Sequence, residues 1–411
     1  MYSDREHNAN LLFLTGFDPR FEEALFLIGP SGKHVLITGN ESIEYAVLAG
    51  LNGMELALCQ TFSLLGQTRA KAPSLERVLQ QAGIRPGTSI GVVGWKYLEP
   101  EQWDLNGASF FVPAFVVASL ARVAGSPEAL LDATHVLMHY EKGLRAYADA
   151  DTIAELEWAA SRASVAVWSI VSGAKVGDTE LAAASRMGYA GEPLSCHVMM
   201  SSGDERAPVV GLASPSSRIL QRGNGVTTAV GYWGGLSSRA GLLGNTDGRF
   251  VETAAAYFRG LVAWYETSDI GVRGDTIHQA VAEMLAKGDL VPALNPGHLV
   301  SYDEWSNTPI RPDGAGTIAS GMPFQVDIIP GPLSRGQALN CEDTVVFADE
   351  ALRQDLASRH PEVWARIVAR RKFMTESIGI DLKTTILPLS NIPLCLPPDW
   401  TKANEILVCA G

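Results

Sequence analysis

Short apolar runs alternate with stretches of helical spacing from Leu11 to about His139. Residues 24–29 and 34–38 are mostly apolar and flank Gly29-Pro30-Ser31-Gly32, a pattern that predicts two strands around a turn. Residues 42–50 and 74–82 repeat apolar positions at helical intervals, the second closed by Gly83. Residues 89–94 and 133–138 predict two further buried strands. Strands alternating with helices in this way define a small α/β domain.

The pattern changes after Lys142. Ile153, Leu156, Ala160, Ala163, Val167 and Ile170 share one helical face, predicting a helix over 151–172 that starts from an Asp cap and stops at Gly173. Asp178 or Thr179 caps the next helix. Residues 249–268 and 275–287 predict two more, and 197–201, 226–232, 324–329 and 343–347 predict strands. A Pro-rich stretch, 387–398, precedes a last strand over 405–409. The expectation is a two-domain chain, α/β over 1–144 and α+β over 145–411.

Composition narrows the setting. A chain of 411 residues exceeds one hydrophobic core. A net charge of −13 argues against a nucleic-acid partner, which would want a basic face. Five dispersed cysteines without a CxxC pair predict reduced thiols rather than a disulfide framework. No leader-like segment is read at Met1, and the most apolar run, 108–121, is too short to span a bilayer. A cytoplasmic protein without a membrane partner is expected.

Three late residues carry the candidate chemistry: His298 after Gly297, Asp327 closing a run from Gly321-Met322, and Glu342 in Cys341-Glu342-Asp343-Thr344. Imidazole and carboxylate donors together suit Zn, Mn, Fe or Co. The stretch 223–241 upstream contains no acid at all.

The order of these segments resembles the pita-bread fold shared by methionine aminopeptidase, aminopeptidase P, prolidase and creatinase. The resemblance is carried by the Asp151-x3-Glu155-x4-Ala160 helix, Gly177-Asp178-Thr179-Glu180 and Ser201-Ser202-Gly203. It continues through residues 270–274, Gly297-His298, Gly321-Met322 and Glu342-Asp343-Thr344. Residues 12–25 look like the start of a creatinase-type N-terminal domain. The resemblance implies an α+β chain, with a pita-bread domain preceded by a smaller α/β domain, and a homodimer.

Peptidases of that family hold two metals through Asp, Asp, His, Glu and Glu. The resemblance places the two Asp positions at Ala229 and Ser238, matches His298 and Glu342, and puts Asp327 where a Glu is usual. Two family histidines fall near Trp305-Ser306 and Val209-Val210 and are absent. The implied function is hydrolysis of a C–N bond in a small or dipeptide-like substrate. It would use one divalent metal on His298, Asp327 and Glu342, or none, as in creatinase. The other reading is a non-catalytic descendant that binds a small ligand or a partner protein.

By residue type, His197 is the remaining acid/base candidate beside His298. Without a metal, Arg239 or Arg335 is expected between the Asp327 and Glu342 carboxylates, because two close carboxylates need a cation. Tyr232, Trp233 and Trp305 are expected to line the substrate pocket. Each has a plainer alternative: a hydrogen-bonded core histidine at His298, a rim histidine at His197, a structural ion pair for the acids, core aromatics for the rest. Cys196 and Cys341 read as packing thiols.

Overall fold

The computed structural model describes residues 1–71, 74–99, 102 and 109–410, in two compact units, Met1–Arg145 and Ala146–Gly411. Of the apolar run 108–121, Ala108 lies outside the described residues.

In the first unit, strands β1 (Tyr2–Ser3), β2 (Ala24–Ile28), β3 (His34–Thr38) and β4 (Glu55–Leu58) form one sheet in that order. β2 and β3 are the antiparallel hairpin around the Gly29–Gly32 turn, and β4 joins β3 in parallel. Helices α1 (Ala9–Thr15), α2 (Ser42–Tyr45), α3 (Leu75–Gln81) and α4 (Ala114–Ala124) accompany it. Leu25, Val35, Ile37, Leu79, Val116 and Leu120 share its core. A second, parallel pair joins β5 (Ile90–Val92) to β6 (Leu130–Asp132). The strand expected over 133–138 is instead a helical turn, α5 (His135–Met138). Asp132 ends the strand by accepting from the Thr134 amide at 2.9 Å, and the Thr134 hydroxyl accepts from Gly94 N. These side-chain bonds offer the backbone a turn in place of a ladder.

The second unit opens with α6 (Ala150–Gly173), capped by Asp149, whose carboxylate accepts from Thr152 N. The cap thus sits two residues before the expected start. α7 (Glu180–Ala184) is capped by Thr179. A seven-stranded curled sheet follows: β7 (Met199–Gly203), β8 (Gly225–Tyr232), β9 (Gly235–Leu242), β11 (His298–Leu299), β12 (Pro323–Val326), β14 (Asn340–Phe347) and β15 (Ile386–Pro388). Its spatial order is β11-β12-β14-β9-β8-β7, and the far half of β14 pairs with β15 after its near half has paired with β9. A short pair, β10 (Val291–Pro292) with β13 (Pro330–Gly331), stands apart. Helices α8 (Gly248–Thr267), α9 (Gly274–Ala286), α10 (Glu350–Arg359) and α11 (Pro361–Phe373) complete the unit. The expected strand 405–409 is irregular, held by Leu407 N to Leu396 O and Cys409 N to Ile378 O.

Two glycines decide how tightly the central hairpin is held. The β8–β9 turn is Trp233-Gly234, both with positive φ, as a two-residue hairpin turn requires. A Cβ on Gly234 would fall 1.5 Å from the Ser301 carbonyl oxygen, so the loop after β11 lies directly on this turn. A Cβ on Gly235 would meet the Ala160 amide nitrogen at 2.6 Å. Glycine there, facing Ala159 and Ala160 on α6, lets the helix seat against β8 and β9 at backbone distance. Val226, Val230 and Tyr232 of β8 pack with Val167 and Ile170 of α6 in that core. Among the described residues no helix is long and apolar enough to cross a membrane.

Candidate functional site

Strand alternation sorts the sheet residues into two faces. Ala229 pairs with Ser238, Ser238 with Glu342, Thr344 with Gln325, and Gln325 with His298. Paired residues share a face, and so do residues two apart. Ala229, Ser238, Glu342, Thr344, Gln325 and His298 therefore line one face, and Asp327 follows just past the end of β12, which stops at Val326 rather than running to the expected 329. Tyr232, Arg239, Cys341 and Asp343 fall on the other face, the one α6 covers.

On the site face a row of donors is buried. Glu342, Asp327 and His298 are all at most 7% exposed. Gln325 donates to Glu342 Oε1 at 3.0 Å and to the Leu236 carbonyl at 2.8 Å, and accepts from the Thr344 hydroxyl. Glu304, from the loop after β11, brings Oε1 to 3.1 Å from His298 Nε2. That oxygen is off the N–H direction, so His298 Nε2 is buried without a hydrogen bond, and Asp327 Oδ1 is too. Trp305 stacks on the His298 ring, with centroids 4.0 Å apart and planes 20° from parallel.

The electrostatics follow from burial. Desolvation is the largest effect on Asp327 and pushes its carboxyl up to about 6, with Glu304 adding to the rise and His298 opposing it. Glu342 is pushed well above the ordinary carboxylate range, first by burial, then by Asp327 and Glu304. Burial works against a charged His298, but Glu304 and Asp327 outweigh it and the imidazole pKa rises. Among the described residues no lysine or arginine comes within salt-bridge reach of Asp327, Glu304 or Glu342. Three carboxylates thus share one imidazole, an arrangement short of positive charge.

Several sequence expectations are corrected by this geometry. Arg239 does not bridge Asp327 and Glu342; it faces the other way and pairs with Asp343 through two 2.9 Å contacts. Its remaining donors reach the carbonyls of Ser238, Glu342, Ile392 and Cys395. The other candidate, Arg335, reaches only the exposed Arg206 carbonyl. Alternation turns Tyr232 away from the site face into the core under α6. His197 precedes β7 rather than lying on it, is exposed, and has Nε2 2.9 Å from the Leu212 carbonyl. Trp233 borders a crevice with Glu155 and Tyr302 of about 10 Å³, room for one water. Trp305 alone of the three aromatics touches the donor cluster. Cys196 packs on Met199, Ala229 and Leu236. Burial pushes the Cys341 thiol well above its ordinary pKa, the reverse of an activated nucleophile.

Gln325 and Glu304 are the site residues that sequence reasoning missed. Gln325 had a usable signal, since it stands two residues before Asp327 on a strand. Glu304 had none, because a loop position obeys no period.

A single divalent ion fits this donor set. Two buried polar atoms without partners, His298 Nε2 and Asp327 Oδ1, are where ligand atoms would be. His298, Glu304 and Glu342 can each offer one atom with all three within 4.8 Å of one another, and Asp327, expected from sequence as the third donor, is not in that group. A second ion does not fit: Ala229 has no donor, and Ser238 Oγ is occupied by the Thr228 carbonyl and the Asn340 amide.

The fold defines a class. The chain has the pita-bread architecture of the prolidase and aminopeptidase P structures. It is similar to a Xaa-Pro dipeptidase from Bacillus anthracis at 13% identity and a TM-score of 0.61, covering 85% of this chain and 89% of that one. A prolidase from Pyrococcus horikoshii matches at 16% and 0.62, over 83% and 89%. A dipeptidase from Mycobacterium ulcerans matches at 16% and 0.61, over 93% and 89%. No protein-family model and no curated protein matches the sequence.

Proposed function

We propose that this chain is a hydrolase of a C–N bond in a small, dipeptide-like substrate, working with one divalent ion held by His298, Asp327 and Glu342. The observation that carries the reading is the pair of buried, unbonded atoms, His298 Nε2 and Asp327 Oδ1, beside Glu342. Leaving such groups bare costs about 1–3 kcal/mol each, so a ligand that satisfies them is favoured there. A bound ion would polarise a carbonyl and lower the pKa of a water. The protein's part is to hold the donors: Gln325 fixes the Glu342 carboxylate, and Trp305 covers the ring of His298.

The pita-bread likeness to Xaa-Pro dipeptidase and prolidase structures supports the substrate class. Two ions bridged as in a dinuclear peptidase are not part of the reading, because Ala229 and Ser238 leave that half of the site without acids. The same loss favours a second reading, a non-catalytic descendant that binds a small ligand. The two separate in a turnover assay. Protein loaded with Mn²⁺ is expected to hydrolyse members of a dipeptide panel that includes Xaa-Pro substrates, and His298→Ala is expected to abolish both turnover and bound metal. Bound metal without turnover of any panel member would favour the binding reading.

A further inference from the structure

Glu304 reaches the cluster from the loop after β11 rather than from the sheet. Its loop is nevertheless fixed. Leu299 N donates to Asn307 O at 2.7 Å, Ser306 N to Leu299 O at 3.0 Å, and the Ser301 carbonyl lies against Gly234. Trp305, the next residue, is stacked on His298. This framework delivers a side chain only 28% exposed to the open nitrogen of a fully buried histidine.

The form of that contact is informative. A charged imidazole with a free carboxylate beside it would align N–H with oxygen. Here Oε1 stands 3.1 Å from Nε2 without that alignment. Two donors at right angles on one six-coordinate ion, each at about 2.0–2.2 Å, stand roughly 2.8–3.1 Å apart and do not point at each other. The contact therefore has the spacing of two ligands sharing an ion. Glu342 also brings a carboxylate oxygen to the same place, so that donor atoms of His298, Glu304 and Glu342 all lie within 4.8 Å of one another.

We infer that Glu304 is a ligand of the single ion, a fourth protein donor beside His298, Asp327 and Glu342. The inference rests on the one-ion reading above. It has two consequences. Glu304 restores part of the negative charge that Ala229 and Ser238 lack, through a loop rather than a strand. A set of one nitrogen and three oxygens also makes ion identity matter: an ion that accepts six donors keeps positions for substrate, and one that accepts four does not. Mn²⁺ is thus the probe of choice.

The test is Mn²⁺ binding to the full chain, followed by the magnetic resonance signal of free Mn²⁺. Glu304→Gln is expected to weaken the apparent affinity by at least about tenfold, since loss of even an outer-shell partner of a ligand does so. Glu304→Asp, which keeps the charge but shortens the reach, is expected to fall between. Amide exchange over residues 300–309 is expected to slow on Mn²⁺ addition in the parent chain and not in Glu304→Gln. Unchanged metal-free melting of both variants confirms that they fold. If the parent chain binds no Mn²⁺, the one-ion reading and this inference fall together. If it binds one ion, and Glu304→Gln binds as tightly while Glu342→Gln does not, only the role of Glu304 is overturned.

Discussion

Arg239 pairs with Cys341, one residue before Glu342 on β14, so the side chains of Arg239 and Glu342 leave the sheet on opposite faces. Arg239 spends its donors on Asp343 and on carbonyls that include Ile392 and Cys395, and Asp343 in turn accepts from Leu394 N at 2.9 Å. The pair therefore clamps the Pro-rich stretch 387–398 against the sheet. Removing one partner of a buried pair strands the other charge in a dry interior. Arg239→Met is expected to cost about 3–5 kcal/mol in urea unfolding while the metal bound per folded molecule stays the same. A drop in bound metal without loss of stability would return Arg239 to the site. At this scale the sequence was legible by residue type and misleading by direction: nothing in the letters says that Ser238 faces the site and Arg239 does not until the register with β14 is known.

Among elements, α6 is held from both sides. Its small residues meet Gly235, and Glu157, 1% exposed, binds Arg366 at 2.9 and 2.7 Å and Arg370 at 2.6 Å on α11. Burial raises the Glu157 carboxyl, but the two guanidinium groups more than offset it and its pKa is lowered. A lowered carboxyl pKa contributes stability that is full above the unfolded value, about 4.5, and is lost as pH falls through the folded value. Glu157→Gln is therefore expected to unfold more easily at pH 7, by about 3–5 kcal/mol, and to lose part of the acid-side fall in stability seen in the parent chain. Identical pH profiles below pH 4.5 for the two proteins would contradict this. The helix itself was readable from its apolar spacing. Its ion pair with α11 was not, because partners about 210 residues apart leave no local pattern. The misread segment 133–138 has a local cause, the side-chain bonds of Asp132 and Thr134, which outcompete the strand propensity of Val136 and Leu137.

For the whole molecule, the pita-bread fold was legible because many short motifs recur in one order, and the structure bears that fold out. Sequence similarity alone could not carry it, at 13–16% identity to the solved structures named above. The candidate donors His298, Asp327 and Glu342 could be named from sequence. Their neighbours Gln325 and Glu304 needed the closed sheet and the loop lying on Gly234. The acids missing at Ala229 and Ser238 matter most here, since the carboxylates of Asp327, Glu342 and Glu304 with one imidazole can neutralise one doubly charged ion and leave no donors for a second. Counting ions decides it most directly. Protein purified without chelator, equilibrated with Mn²⁺ and analysed by elemental mass spectrometry, is expected to carry one equivalent per chain; two equivalents, or none, would contradict the account.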